Sequence, residues 1–593
     1  MTNATPRNNY GRYWQDPRNR PEFYPHQQSL DPALYRPIGT WMGVLALPTG
    51  MIERNLVLGC WLVLDHAPPA YQDLIGQRVR LRWEPTAELN ARFWGATRNV
   101  YFDEDSAKAL AAGTVLPERV NNLLNVNPLE SLAGAHPYDD VSVRLEGEVR
   151  VEAQPPDGGP PIVFVSRMPA EITGRYVALV QFVAPADGEL YYVRHFDRAN
   201  ASFRGPEELV VLHEVVPDSN DTRNSAAAKI EQSPCNPQGW YIYGAQDQQG
   251  RFVVRGLAPR QLLRLEPQLY CDGVSEGMEY LRPKAWKRSA QKGEATTALL
   301  VGMGMTPHTG KAAWKAGDRG LMIHLFGGIG GNKTEPAART PLYWGHFAFG
   351  IATVIEEPLS GELSFDIVYH QVYAHNPDGL TAGAHHYSHY SGDRQYGWAG
   401  IRPIQDLIIK LDGITGSYTI FGQPISALDQ IVIALEVMEA RYRIADGRGG
   451  TRVTASQNCA QDSAQSLYVA IRNISKLLAA RPDVRAELTD TPEEARMFTQ
   501  LSEAGEELRR VLLPWGSARD DWEHDIATLG GDGPGGLISG LGKAVSSWRT
   551  MLPPVAARAM AEVFLECGGS IWVLRTFQVG GIDPDVEPIV PNV

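Results

Sequence analysis

The chain has little cysteine. Five stand in 593 residues, at positions 60, 235, 271, 459 and 567, and no two form a CxxC pair. That scatter excludes a dense disulfide framework and fits a reducing compartment, so a cytoplasmic location is expected. No apolar run reaches the roughly 18 residues that a membrane span needs. The most apolar early stretch, "WMGVLALPTGMIERNLVLGCWLVLD", is broken by Pro48, Glu53 and Arg54. The opening "MTNATPRNNYGRYWQDPRNRPEF" lacks the apolar centre of a signal peptide. Dense Lys/Arg clusters are missing too. With a formal net charge of −13, a nucleic-acid partner is not expected. The chain has no GxSxG and no HExxH, which removes the serine-hydrolase elbow and the helical zinc motif.

What is present is a long, turn-rich globular chain. Its length exceeds what one core supports, so several domains are expected. Fifty-eight glycines and forty-two prolines imply many turns and a large β content. Short β-type runs recur between Gly39 and about Glu152, including "LVLGCWLVL", "RVRLRW" and "VSVRLEGEVRVE", with "DSAKALAAG" as a helical interruption. The breaker "EAQPPDGGPPI" precedes a second β-rich block containing "RYVALVQFV", "ELYYVRHF" and "GWYIYGAQ". Within it, "SNDTRNSAAAKIEQS" has the composition of a linking helix. From about residue 296, "TTALLVGMG" and "GLMIHLFGGIGG" read as buried strands. "HFAFGIATVIEEPLSGELSFDIVYHQVYA" reads as a hairpin around a six-residue turn, Glu356 to Gly361. "IRPIQDLIIKL" and "SALDQIVIALEVMEARYRI" read as helices. Beyond Pro482 the pattern is helical, with Thr491, Pro492 and Glu494 forming a capping-box start. The expected class is α+β multidomain: a β-rich domain over 1–152, a second over 153–295, an α+β domain over 296–482 and a helical region over 483–593.

Cys459 stands in "RVTASQNCAQDSAQSLYVAIRNI". Leu467, Ile471, Ile474 and Leu478 make an apolar helical stripe, and Asn458 is a good N-cap with Gln461 three residues on. Cys459 therefore falls in the first helical turn, where N–H groups and the helix dipole favour a thiolate. Most cysteines are simply small buried side chains, so a nucleophile also needs a base and an orienting group. The hairpin offers both. His346 opens its first strand. With Ile355 or Val354 opposite Glu362, counting sets His346 against His370 or Gln371, at roughly 4.5–5.5 Å between Cβ atoms. Asp366 lies about 13 Å back along the second strand, at ~3.3 Å per residue. His370, or failing that Gln371, is the expected orienter.

The order of strand His, polar residue on the next strand, then Cys at a helix start resembles the circularly permuted branch of papain-like enzymes. That branch includes lecithin:retinol acyltransferase and permuted NlpC-type peptidases. "GHFAFGIATV" and "QNCAQDS" carry the resemblance over about residues 340–480. It implies Cys459 as nucleophile, His346 as base and His370 as the third polar group. "RPEFYPHQQSLDPALYRPIGTWMG" and "GWAGIRPIQDLIIKLDG" also resemble a group of cyanobacterial proteins labelled predicted Abi or CAAX-type proteases. CAAX enzymes carry EExxxR on membrane helices, and the nearest pieces here, "PEEAR" and "GEELRR", are spaced differently.

Two other clusters compete. "GGIGGNKT" nearly matches a phosphate-binding loop, but Asn332 replaces the second glycine, and Pro336 and Pro341 forbid the helix that would follow. A loop beside a cleft is the expected form. "AHNPDGLTAGAHHYSHYSGDRQYGW" crowds His375, His385, His386, His389 and Asp393 together. His385 and His389 could share a metal if the piece were helical, yet its glycines favour a substrate-covering loop with solvated or stacked histidines. The favoured expectation is a cysteine hydrolase or acyltransferase, peptidase chemistry preferred, acting on a peptide, cell-wall or lipid acyl substrate. The oxyanion is expected at the helix-start N–H groups with Gln457 or Asn458, beside Gln371. No cofactor or metal is part of that reading. The alternatives are a non-catalytic β-module scaffold and a metal-dependent hydrolase using the 375–393 histidines.

Overall fold

"GLMIHLF" and "IQDLIIKL" are apolar at odd and even positions alike. Strands of that kind need cover on both faces. The computed structural model describes residues 9–46, 60–86, 89, 128–133, 141–372, 382–445, 459–512 and 552–592, and it supplies that cover. Mixed α and β structure is built around one 15-stranded sheet. Six of its strands position the candidate site: β1 (Ala170–Glu171), β2 (Arg319–Phe326), β3 (His346–Glu356), β4 (Leu363–Gln371), β5 (Gly383–His386) and β6 (Pro403–Lys410). They lie in the order β6-β2-β3-β4-β5-β1. Five helices matter as well: α1 (Tyr387–Tyr390), α2 (Ala427–Ala445), α3 (Cys459–Ala480), α4 (Pro492–Leu512) and α5 (Pro553–Glu566).

The sheet is the middle of three layers. On one face Met322, Ala352, Ile367 and Tyr369 share a core with Trp240, Ile242 and Val254. Those last three belong to a second sheet, ordered Tyr35–Pro37, Tyr176–Pro185, Leu190–His195, Glu207–Val211, Phe252–Pro259, Trp240–Gln246. Tyr176–Pro185 also pairs with Trp240–Gln246, so five of these strands close into a small barrel without free edges. On the other face Leu321, Ile323, Phe347, Phe349 and Leu407 share a core with Leu435, Leu467 and Phe564 of the helices. Burying a single such side chain stabilises by about 1.5–3 kcal/mol.

Sandwiching explains the main differences from expectation. Pro403–Lys410 is a strand, not a helix. Ile401, Ile404, Leu407 and Leu411 mimic helical spacing only because both faces of the strand are buried. The 483–593 region, expected helical, contributes an interior strand, Ser570–Phe577, paired with β6 and with Ala295–Val301. The large sheet also crosses the expected limits at 152/153 and 295/296, since Ile162–Val165 pairs with Arg78–Trp83 and Leu269–Asp272 pairs with Ala295–Val301. "SNDTRNSAAAKIEQS" forms turns and one short 3-10 helix, Ile230–Gln232, rather than an α-helix. "DSAKALAAG" lies outside the described residues. The helix starting at Pro492 forms where its cap places it, and Glu494 N–H donates to Thr491 Oγ1 at 3.2 Å. Cys459 is the first described residue of its helix, and its expected cap, Asn458, lies outside the described residues. Among the described residues, no helix is long and apolar enough to cross a membrane.

Candidate active site

The site begins at Gly345. Its φ of 70° lies in the left-handed region, and a Cβ there would stand 2.4 Å from the Phe326 carbonyl oxygen. Glycine therefore lets β3 start tight against the end of β2, with His346 opposite Phe326. The imidazole of His346 stacks on the Phe326 ring at 4.7 Å and is almost fully buried.

Pairing of β3 with β4 runs Glu356↔Leu363 and Phe349↔His370. Position 370 is thus opposed three residues beyond His346 (349 − 346). The turn is the cause. Glu357 N–H donates to the Glu362 carbonyl at 2.8 Å, so pairing continues closer to the turn than a six-residue loop allows. His370 does not reach His346. Its Nδ1 lies 2.9 Å from Glu439 Oε1 of α2, on the helix-covered face. Gln371, its neighbour, leaves the opposite face. It sits diagonal to His346, across from Ala348, a spacing that long side chains bridge.

Both amide atoms of Gln371 lie near His346 Nε2, the oxygen at 3.0 Å and the nitrogen at 2.9 Å. The nitrogen also donates to Tyr390 Oη at 3.2 Å. The amide carries two N–H protons, so with one given to Tyr390 either the second or the amide oxygen can meet His346 Nε2, and both imidazole tautomers fit this geometry. Burial first, and then His324, push the imidazole down to about 3; the Gln371 hydrogen bond opposes this and Arg402 adds to it. His346 is therefore neutral at physiological pH.

Cys459 opens α3, half-buried, and its side chain packs with the core on the helix-covered face. After burial, Cys459 is the strongest of the influences that raise the Tyr390 phenol above its ordinary range. Hydrogen bonds link Tyr390, Gln371 and His346. Gln457 and Asn458 lie outside the described residues. Of the other described cysteines, Cys60, Cys235 and Cys271 are buried and Cys567 is half-buried.

His346 and Gln371 open on a cleft of about 560 Å3, also lined by Phe326, Trp398 and Arg402. Cys459 is not among its described lining residues. Arg402 forms a two-pronged pair with Glu335, at 2.8 and 2.9 Å, and lies over the Phe326 and Trp398 rings. The stretch "GGIGGNKT" borders this cleft. Its strand, Gly328–Gly331, pairs with Val586–Ile589 and is followed by a short 3-10 turn, Pro336–Arg339, not by a phosphate-binding helix.

Several partners carry no signal in the linear sequence. Fully buried His324 holds Asp406 Oδ1 at 2.6 Å through Nδ1, and Tyr369 donates to Asp406 Oδ2 at 2.8 Å. The His324 ring lies 6.4 Å from His346 and 5.0 Å from Tyr390. Asp366 is remote from this group, bound to Arg144 and to His386 Nε2 at 3.0 Å.

The histidine-rich segment differs most from expectation. His375 lies outside the described residues. His385, His386, His389 and Asp393 are buried, on β5, on α1 and just after it, instead of forming an exposed cover. Gly383 sits on a strand and Gly392 in a turn, and seven histidine, tyrosine and tryptophan rings of the segment are buried. No protein-family model, no curated protein and no solved structure matches this chain.

Proposed function

We propose that the chain is a cysteine-dependent hydrolase or acyltransferase, with Cys459 as nucleophile, His346 as base and Gln371 as its orienting amide. The observation that carries this reading is the His346–Gln371 pair. When the Gln371 oxygen accepts from Nε2–H, Nδ1 is the proton acceptor, and the pair borders a cleft of about 560 Å3. An amide serves this purpose because in that orientation it fixes the tautomer without adding charge. In the proposed cycle the Cys459 S–H proton passes to His346 Nδ1 as sulfur attacks an amide or ester carbonyl. Backbone N–H groups at the start of α3 receive the oxyanion. The imidazolium then protonates the leaving group, and water or a second acceptor releases the acyl chain. The low basicity of His346 favours proton transfer in step with attack over a standing ion pair. The aromatic walls of Phe326 and Trp398 suit an acyl or peptidic group.

The test is competitive alkylation with iodoacetamide near neutral pH, mapped by mass spectrometry. Cys459 should react at least ~10-fold faster than Cys567, whose thiol is raised by burial and then by Glu503. Equal rates would sink the enzyme reading and return the chain to a scaffold.

A further inference from the structure

We propose that Glu171, His385 and His389 bind one divalent transition-metal ion of the zinc class. The three come from separate elements, β1, β5 and α1, and each offers a ligand atom within 4.8 Å of the others. The fold creates this meeting. β1 pairs in parallel with β5, with Glu171 directly across from His385. The chain then turns from β5 into α1, which stacks the His389 ring on His385 at 5.3 Å and 13°. All three side chains are buried, where a carboxylate beside two imidazoles calls for positive charge.

The distances favour an ion over direct pairing. His389 Nε2 lies 3.4 Å from Glu171 Oε2, and His385 Nδ1 lies 3.7 Å from Glu171 Oε1. Charge-assisted hydrogen bonds close to about 2.7–2.9 Å. Ligand atoms around a tetrahedral zinc with bonds of ~2.0–2.1 Å stand about 3.3–3.4 Å apart.

The surroundings also set the imidazole form a metal needs. Asp393 Oδ1 accepts from the N–H groups of Gln395 and Tyr396, at 2.6 and 2.9 Å, and Oδ2 accepts the Thr173 hydroxyl proton. Thr173 Oγ1, 3.2 Å from His389 Nδ1, must then accept the Nδ1–H. That leaves Nε2, the nitrogen turned to Glu171, as the lone-pair donor. Such a hydrogen bond on the far ring nitrogen is the usual support of a metal-binding histidine. Glu171 and His389 border a pocket of about 60 Å3, room enough for water, from which an ion's remaining position can be filled. Glu171 also pairs across β1 with Val143. The ion would therefore clip the N-terminal strands to β5 and α1.

Metal analysis of the full-length protein and cobalt titration of its chelated form test this. About one zinc per chain is expected, with a visible d–d spectrum when Co2+ replaces it. Glu171→Gln should weaken binding by at least ~100-fold, while Cys459→Ser should leave it unchanged. Wild-type protein with a native circular dichroism spectrum that neither carries a transition metal nor binds Co2+ overturns the proposal. So does metal that E171Q and H389Q both retain, or that C459S loses.

Discussion

Two histidine sites lie on either side of Tyr390, and they are built from opposite materials. His346 is surrounded by aromatic rings and one neutral amide, beside a wide cleft. His385 and His389 face a buried carboxylate, which with His389 borders a pocket of about 60 Å3. The Tyr390 phenol meets Gln371 on one side, and its ring lies 6.0 Å from His385 on the other. The contrast shows how surroundings assign an imidazole its work. Aromatic burial beside a second histidine keeps His346 neutral and able to accept a proton. A carboxylate held at 3.4–3.7 Å favours a cation between the groups.

The sharpest way to break this division is to cross the perturbations. His346→Ala should slow Cys459 alkylation by about 10²-fold or more, within the range for removing a general base, and leave metal content unchanged. Chelation should do the reverse. Loss of rapid alkylation on chelation alone would merge the two sites into one.

The second prediction concerns pH. The folded pKa of His346 is depressed from 6.5 to about 3. Above 6.5 the group is neutral in both states and costs nothing. As pH falls from 6.5 towards 3, the unfolded chain takes up the proton and the folded one does not, so stability is lost. His213 and His386, lowered first by burial, act in the same direction. Urea unfolding at several pH values should therefore show a slope that His346→Gln reduces by up to ~1.4 kcal/mol per pH unit. An unchanged slope would mean that His346 is hydrated in solution, contrary to its aromatic packing.

The sequence made local devices legible and long-range meetings illegible. The helix over Cys459–Ala480, the capping box at Thr491 and the two strands of the hairpin follow from near neighbours. So did the closeness of His346 to the end of β4. The choice between His370 and Gln371 depended on a turn tighter than counting assumed, and one residue's difference puts a side chain on the other face. Asp406 joins His324 across 82 positions, and Glu171 reaches His385 from 214 positions away (385 − 171). Neither pairing leaves a local pattern. The C-terminal strand was hidden for another reason: buried on both faces, it lacks the alternation that marks a strand.

The smallest expected effect falls on Tyr390 itself. Tyr390→Phe keeps the ring that packs against His324 and His385 and removes only the oxygen that accepts from Gln371. Losing that hydrogen bond should cost about 0.5–1.5 kcal/mol of stability. The consequence for His346 is more specific. Without Tyr390 Oη to take one amide proton, both N–H groups of Gln371 can turn to His346 Nε2, from which the nitrogen already lies 2.9 Å away. The imidazole proton then moves to Nδ1, and the base points a filled site at the thiol. Because the two amide orientations differ by about one hydrogen bond, Cys459 alkylation should fall roughly 5-fold, the equivalent of ~1 kcal/mol. Cobalt affinity at Glu171, His385 and His389 should not change, since the phenol is not one of the three proposed ligands. A Y390F protein with full alkylation would show that Gln371 holds its orientation unaided; one with weakened cobalt binding would show that the phenol couples the two sites.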